Sequence, residues 1–162
     1  MLYNNKNYQV GIIFLIALVI RILYTMLNLY RFGLDTSSDA SEYIRFGQMI
    51  VSEGWMVLDL NTLNTPVGPG YPLIFALDWF FFNNPHFTFT IVVDIILNSL
   101  TVIVIYLITR ELKIENKYAL FISLWAAVYM QYIRYTPLLN KENIVFFLFA
   151  LAVFLTIKLK SA

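Results

Sequence analysis

Asp39 stands in Asp35-Thr36-Ser37-Ser38-Asp39-Ala40-Ser41-Glu42-Tyr43, directly after the first long apolar run of the chain. A carboxylate placed where a helix leaves a bilayer meets both lipid-borne molecules and water. The chemistry open to it is general-base catalysis, in which it takes a proton from an attacking hydroxyl. Asp39 is equally a good helix N-cap, and with Glu42 three positions on it makes a capping box in all but the usual Ser/Thr. The roles are compatible, because one oxygen can cap while the other faces a substrate. Asp35 is the rival acid and reads as a turn residue. Tyr43, one turn along, is either an interfacial anchor or a binding residue. Glu53 and Asp59 read as solvated.

A second polar group lies in Leu139-Asn140-Lys141-Glu142-Asn143. Glu142 suits the first turn of a helix, where the dipole favours an acid. It is also a candidate to converge on the Asp39 side. Arg134 and Lys141 are cations near the same end, with Arg45 a weaker third. They suit an anion such as a lipid-linked phosphate, or else lipid headgroups and pairing with Glu142. Asp94 and Asn98 fall at helical spacing inside another apolar run, and an acid in such a place faces protein or water. Arg21 sits in the first run with no partner evident in the sequence.

The residues present also exclude chemistries. With no cysteine there is no disulfide and no thiol nucleophile. His86, in Asn84-Pro85-His86, is the single histidine, so a His-rich zinc site is excluded, and His86 itself reads as an interfacial polar residue. The acids allow a contact with Mg²⁺ or Mn²⁺ but show no ligand spacing that demands one. A formal net charge of +1 gives no case for nucleic acid.

The elements that must position these residues are set by apolar runs. The 162 residues are 60% hydrophobic and 13% charged, about half the usual charged share, which predicts an integral membrane protein. Crossing a hydrocarbon core of about 30 Å takes about 20 helical residues. Four runs are long enough: 8–30, 87–109, 118–138 and 143–159, the last ending in Lys158 and Lys160, which can snorkel. The first run is too long for a secretory signal and lacks a small-x-small cleavage site, so it reads as an uncleaved anchor.

A fifth run, 71–82, is too short to span and is bracketed by Pro69, Pro72 and Pro85. If it lies at the outer face, Lys6, Arg110, Lys113, Lys117, Lys158 and Lys160 all fall on the cytoplasmic side, as the positive-inside rule prefers. The expected fold is therefore all-α and polytopic. It has four transmembrane helices, a cytoplasmic N-terminus, and two outer-face juxtamembrane helices in a long outer loop over 31–86. Within that loop, Ala40, Tyr43, Gly47 and Ile50 recur at helical spacing over 39–53, and Gly54 is placed to end the helix. The stretch 61–72 is turn-rich. The whole reads as one membrane module over 1–162.

Taken together, Asp39-Ala40-Ser41-Glu42-Tyr43 opening a surface helix, Gly68-Pro69-Gly70-Tyr71-Pro72 leading into another, and a short outer turn carrying Glu142 resemble the membrane glycosyltransferases of the GT-C fold. The nearest likeness is to glycosyltransferase family 39, which includes dolichyl-phosphate-mannose–protein mannosyltransferases and the bacterial aminoarabinose transferase. Some relatives carry a basic residue just before the loop prolines, where this chain has Val67-Gly68.

The resemblance implies transfer of a sugar from a polyprenyl-phosphate donor to a hydroxyl on protein, lipid or glycan. Transfer would occur on the non-cytoplasmic face of the bacterial plasma (inner) membrane, usually with inversion. It implies Asp39 as the catalytic base, with Tyr43, Tyr71, Arg134, Lys141 and Glu142 binding substrate. Family members are much longer, so the chain corresponds to an N-terminal portion that is not self-sufficient. A second reading stays open: a non-catalytic four-span protein, lipid-binding or an assembly subunit, whose acids are caps and headgroup contacts.

Overall fold

Backbone amides removed from water must bond within their own segment, so long apolar runs fold as helices. The computed structural model describes residues 3–36, 39–53, 68, 70–82 and 87–161, and every regular element among them is helical. In chain order these are α1 (Tyr3–Phe32), α2 (Asp39–Glu53), α3 (Gly70–Phe82), α4 (Thr88–Glu111), α5 (Asn116–Val128), α6 (Met130–Tyr135) and α7 (Glu142–Ser161). Three stretches are long and apolar enough to cross a membrane: Tyr8–Phe32, Thr88–Glu111 and Glu142–Lys160. Gly54, most of the 61–72 loop, Asp59 and His86 lie outside the described residues.

The third expected span, 118–138, is not one helix. α5 stops at Val128, Tyr129 is extended (φ −65°, ψ 113°), and α6 runs only to Tyr135. Pro137 follows and has no N–H to carry the helix on. No proline or glycine marks the break itself. Buried side chains of other helices bond backbone carbonyls on both sides of it.

Other helix ends have local causes. α1 closes on Gly33, left-handed at φ 73°, whose N–H donates to the Leu29 carbonyl at 3.0 Å. α4 opens at Phe87, which offers no side-chain cap. Asp78 of α3 supplies one instead, accepting from the Thr90 N–H at 2.8 Å and the Thr90 hydroxyl at 3.0 Å. A cap of this kind stabilises a helix by about 1 kcal/mol, and here it also ties α3 to α4.

The most extensive packing joins α4 to α7, α2 to α3, and α4 to α1 and α5. Two apolar cores result. One gathers Ala40, Tyr43, Tyr71, Phe75, Ile91 and Leu139 under α2 and α3. The other gathers Ile13, Ala17, Val102, Tyr106 and Ala119 among α1, α4 and α5. A buried polar layer of Arg21, Asn98, Ser99 and Asn143 separates them. Large apolar side chains stay exposed along α1, α5 and α7, among them Leu27, Phe121 and Phe149. That is surface suited to lipid and not to water.

Candidate functional site

α2 is amphipathic, with Ala40, Tyr43, Phe46, Gly47 and Ile50 buried. Gly47 permits its docking, since a Cβ there would lie 2.6 Å from Phe75 Cβ and 3.0 Å from the Ala76 nitrogen. The close approach sets up a ladder of edge-to-face rings: Tyr43 on Tyr71 at 5.1 Å, Tyr71 on Phe75 at 5.3 Å and Phe75 on Phe87 at 5.3 Å. Pairs of this geometry add about 0.5–1.5 kcal/mol each beyond their burial. Asp39 opens α2 and remains exposed, whereas Tyr43 is buried beneath it.

The charges around Tyr43 come from both ends of the sequence. Burial raises the pKa of its phenol, Lys141 beside it acts in the opposite direction, and Asp39 and Glu142 push it further up. Lys141 and Glu142 arrive there because of Leu139, which is fully buried in the core with Tyr43 and Tyr71. Leu139 holds a left-handed backbone (φ 48°). That conformation costs roughly 1–3 kcal/mol in a non-glycine residue, and burying a leucine returns roughly 1.5–3 kcal/mol. The turn is thus held by its core anchor. Lys141 then stands just before α7, its carbonyl accepting from the Val145 N–H at 3.0 Å. Glu142 occupies the first turn, and its Oε2 is buried without a hydrogen-bond partner among the described residues.

Beneath the tyrosines lies Asp94. The Tyr71 hydroxyl donates to its Oδ2 at 2.5 Å, while Oδ1 is buried without a partner among the described residues. Burial and the Asp94 charge both raise the Tyr71 pKa, burial more. One turn further along α4, Asn98 uses its whole amide. Its Oδ1 accepts from Arg21 Nε at 2.8 Å, and its Nδ2 donates to the Tyr132 carbonyl and to Asn143 Oδ1, each at 2.8 Å. Arg21 Nη1 donates to the carbonyls of Ala17 (3.0 Å) and Ala127 (3.3 Å). Asn143 Nδ2 donates to the Tyr135 carbonyl at 3.0 Å. Three buried side chains from α1, α4 and α7 therefore serve carbonyls of the broken α5–α6 segment. Irregular backbone away from water needs such partners.

Of the sequence candidates, the fold gathers Asp39, Tyr43, Lys141 and Glu142 at one end, with Tyr71 packed edge-on against Tyr43. Arg134 is exposed on α6 and is not among the charges that bear on Tyr43 or Tyr71. Glu42 pairs along its own helix. Its carboxylate accepts from Arg45 Nη2 at 2.8 Å, because Arg45 lies one turn on along the same exposed face. That pair also engages Arg45, which sits 4.9 Å from the Phe46 ring centre. Asp94 and Asn98 were legible from their spacing. The partner of Arg21 was not, being 77 residues away. Asp78 was overlooked, and a lone acid in the apolar run 71–82 is the signal that marks it.

No three acids or histidines among the described residues group as metal ligands. The cluster does offer an exposed carboxylate, an ammonium and a half-buried carboxylate around one phenol. That set suits proton abstraction beside a developing anion. Comparison with protein-family models, with curated proteins and with solved structures gives no match.

Proposed function

We propose that this chain is the membrane module of a glycosyltransferase that uses a polyprenyl-phosphate-linked sugar, with Asp39 as general base. The observation that carries the reading is the gathering of exposed Asp39 with Lys141 and Glu142 about Tyr43, at the end of the fold where α2 leaves α1. The acceptor hydroxyl gives its proton to the Asp39 carboxylate as its oxygen attacks the anomeric carbon. The bond from that carbon to the phosphate oxygen breaks, and the electron pair leaves with the phosphate. A phosphate leaving group needs charge neutralisation more than protonation, and Lys141 supplies it. Glu142 accepts hydrogen bonds from sugar or acceptor hydroxyls.

In this reading α5 and α6 form a broken third crossing between α4 and α7, giving four in all. α2 and α3 lie on the outer face of the plasma membrane, and the N-terminus is cytoplasmic. The test is transfer of labelled sugar by the full-length protein in native membranes. Asp39→Asn is expected to lower transfer by about 10²–10⁴-fold, the range of general-base catalysis, with membrane insertion intact. Near-normal turnover removes Asp39 as base.

A second reading is favoured by the internal pairing of Tyr71 with Asp94 and of Glu42 with Arg45. Groups engaged in this way suit a non-catalytic four-span protein that binds lipid or supports an assembly. Copurification of a polyprenyl-phosphate lipid with no transfer by the assembled protein selects that reading.

A further inference from the structure

At the other end of α4 the chain makes a tight turn into α5. Arg110, Lys113, Ile114, Glu115, Asn116 and Lys117 line an open groove of about 670 Å³ there. Three cations face one carboxylate. Two of the three stand where local physics disfavours them. Lys113 is left-handed at φ 59°, in the position past a helix end that glycine normally fills. The Ile114 N–H donates back to the Thr109 carbonyl at 3.1 Å, closing the turn in that form. Lys117 is the second residue of α5, where the helix dipole opposes a cation. Glu115, at the cap position, makes no side-chain cap bond and turns its carboxylate to Lys117 Nζ at 3.0 Å. The first amides of α5 therefore receive no cap from it. Arg110 alone is explained by the dipole, as a cation in the last turn of α4. Its Nη1 donates to the Ile114 carbonyl at 3.0 Å, which holds the guanidinium over the turn.

We infer that this groove binds the phosphate of an acidic membrane lipid, held by Arg110, Lys113 and Lys117. An anion there pairs with all three cations and offsets the unfavourable placement of Lys117 at the start of α5. The source is a lipid because α4 is long and apolar enough to cross a membrane, so its last turn meets the headgroup layer. The inference does not depend on the glycosyltransferase reading, since the groove and the Asp39 cluster lie at opposite ends of α4.

The test is native mass spectrometry of the purified full-length protein, released from vesicles of phosphatidylglycerol and phosphatidylcholine in equal amounts. The wild type is expected to retain phosphatidylglycerol preferentially. Lys113→Gly is the informative variant, because it removes the cation while placing the residue that the left-handed backbone prefers, so folding is preserved. It and Arg110→Gln are each expected to lower phosphatidylglycerol retention about fivefold, the effect of one cation near a membrane surface. The double variant Lys158→Gln/Lys160→Gln, at the end of α7, is expected to leave retention unchanged. Unchanged retention in Lys113→Gly, or an equal loss in the α7 variant, overturns the site. Displacement of the lipid by excess inorganic phosphate overturns the lipid assignment in favour of a soluble phosphate.

Discussion

Asn98 shows how much one side chain carries in this protein. Its amide joins α1, α6 and α7 through three bonds to other segments. Hydrogen bonds between membrane helices average about 0.6 kcal/mol, so Asn98→Ala is expected to cost about 2 kcal/mol in a detergent-denaturation measurement. Thr156→Ala, which removes only a bond to the Ala152 carbonyl within an exposed stretch of α7, is expected to change nothing measurable. The tyrosines make a second prediction. Burial raises the Tyr43 and Tyr71 pKa values in the folded protein above the ordinary tyrosine value of about 10. A group whose folded pKa is raised keeps its full contribution below the unfolded value and loses it as pH rises. Stability is therefore expected to hold up to about pH 10 and to fall above it, and Tyr43→Phe is expected to blunt the fall. A fall of the same size in that variant removes Tyr43 from the account.

Among the elements, the α2–α3 pair rests on a single missing Cβ. Gly47→Ala forces Phe75 and the Ala76 backbone to give way, and overpacking of this kind costs about 1–3 kcal/mol. Hydrogen exchange on α2 is expected to quicken while α4 and α7 keep their protection. Unchanged exchange would show that the two helices yield without separating. Both helices were readable in the sequence for local reasons. α2 shows apolar spacing at Ala40, Tyr43, Gly47 and Ile50, and α3 is a short run bounded by prolines. The break at Tyr129 was not readable, because no residue near it breaks helices. It is accommodated by Arg21, Asn98 and Asn143, which come from three other helices. The Asp78 cap on α4 was hidden for the same reason, since donor and acceptor belong to different helices.

For the molecule as a whole, polar contact is distributed by depth. An exposed carboxylate and ammonium mark one end, a buried layer through Asp94, Asn98 and Arg21 crosses the middle, and a basic groove marks the other end. The sequence foretold the acids at the first end and the lone Arg21. It did not show that Lys141 and Glu142 come to Tyr43, because a left-handed, buried Leu139 makes that turn and leucine gives no local sign of it.

The central claim is that the face carrying Asp39 is turned to the exterior. The chain has no cysteine, so single cysteines can be read without background. Gln48→Cys, on the exposed side of α2, is expected to react with a membrane-impermeant maleimide on intact cells, and Lys160→Cys only after permeabilisation. If Gln48→Cys reacts only after permeabilisation, Asp39 faces the cytosol and no donor presented at the outer surface can reach it.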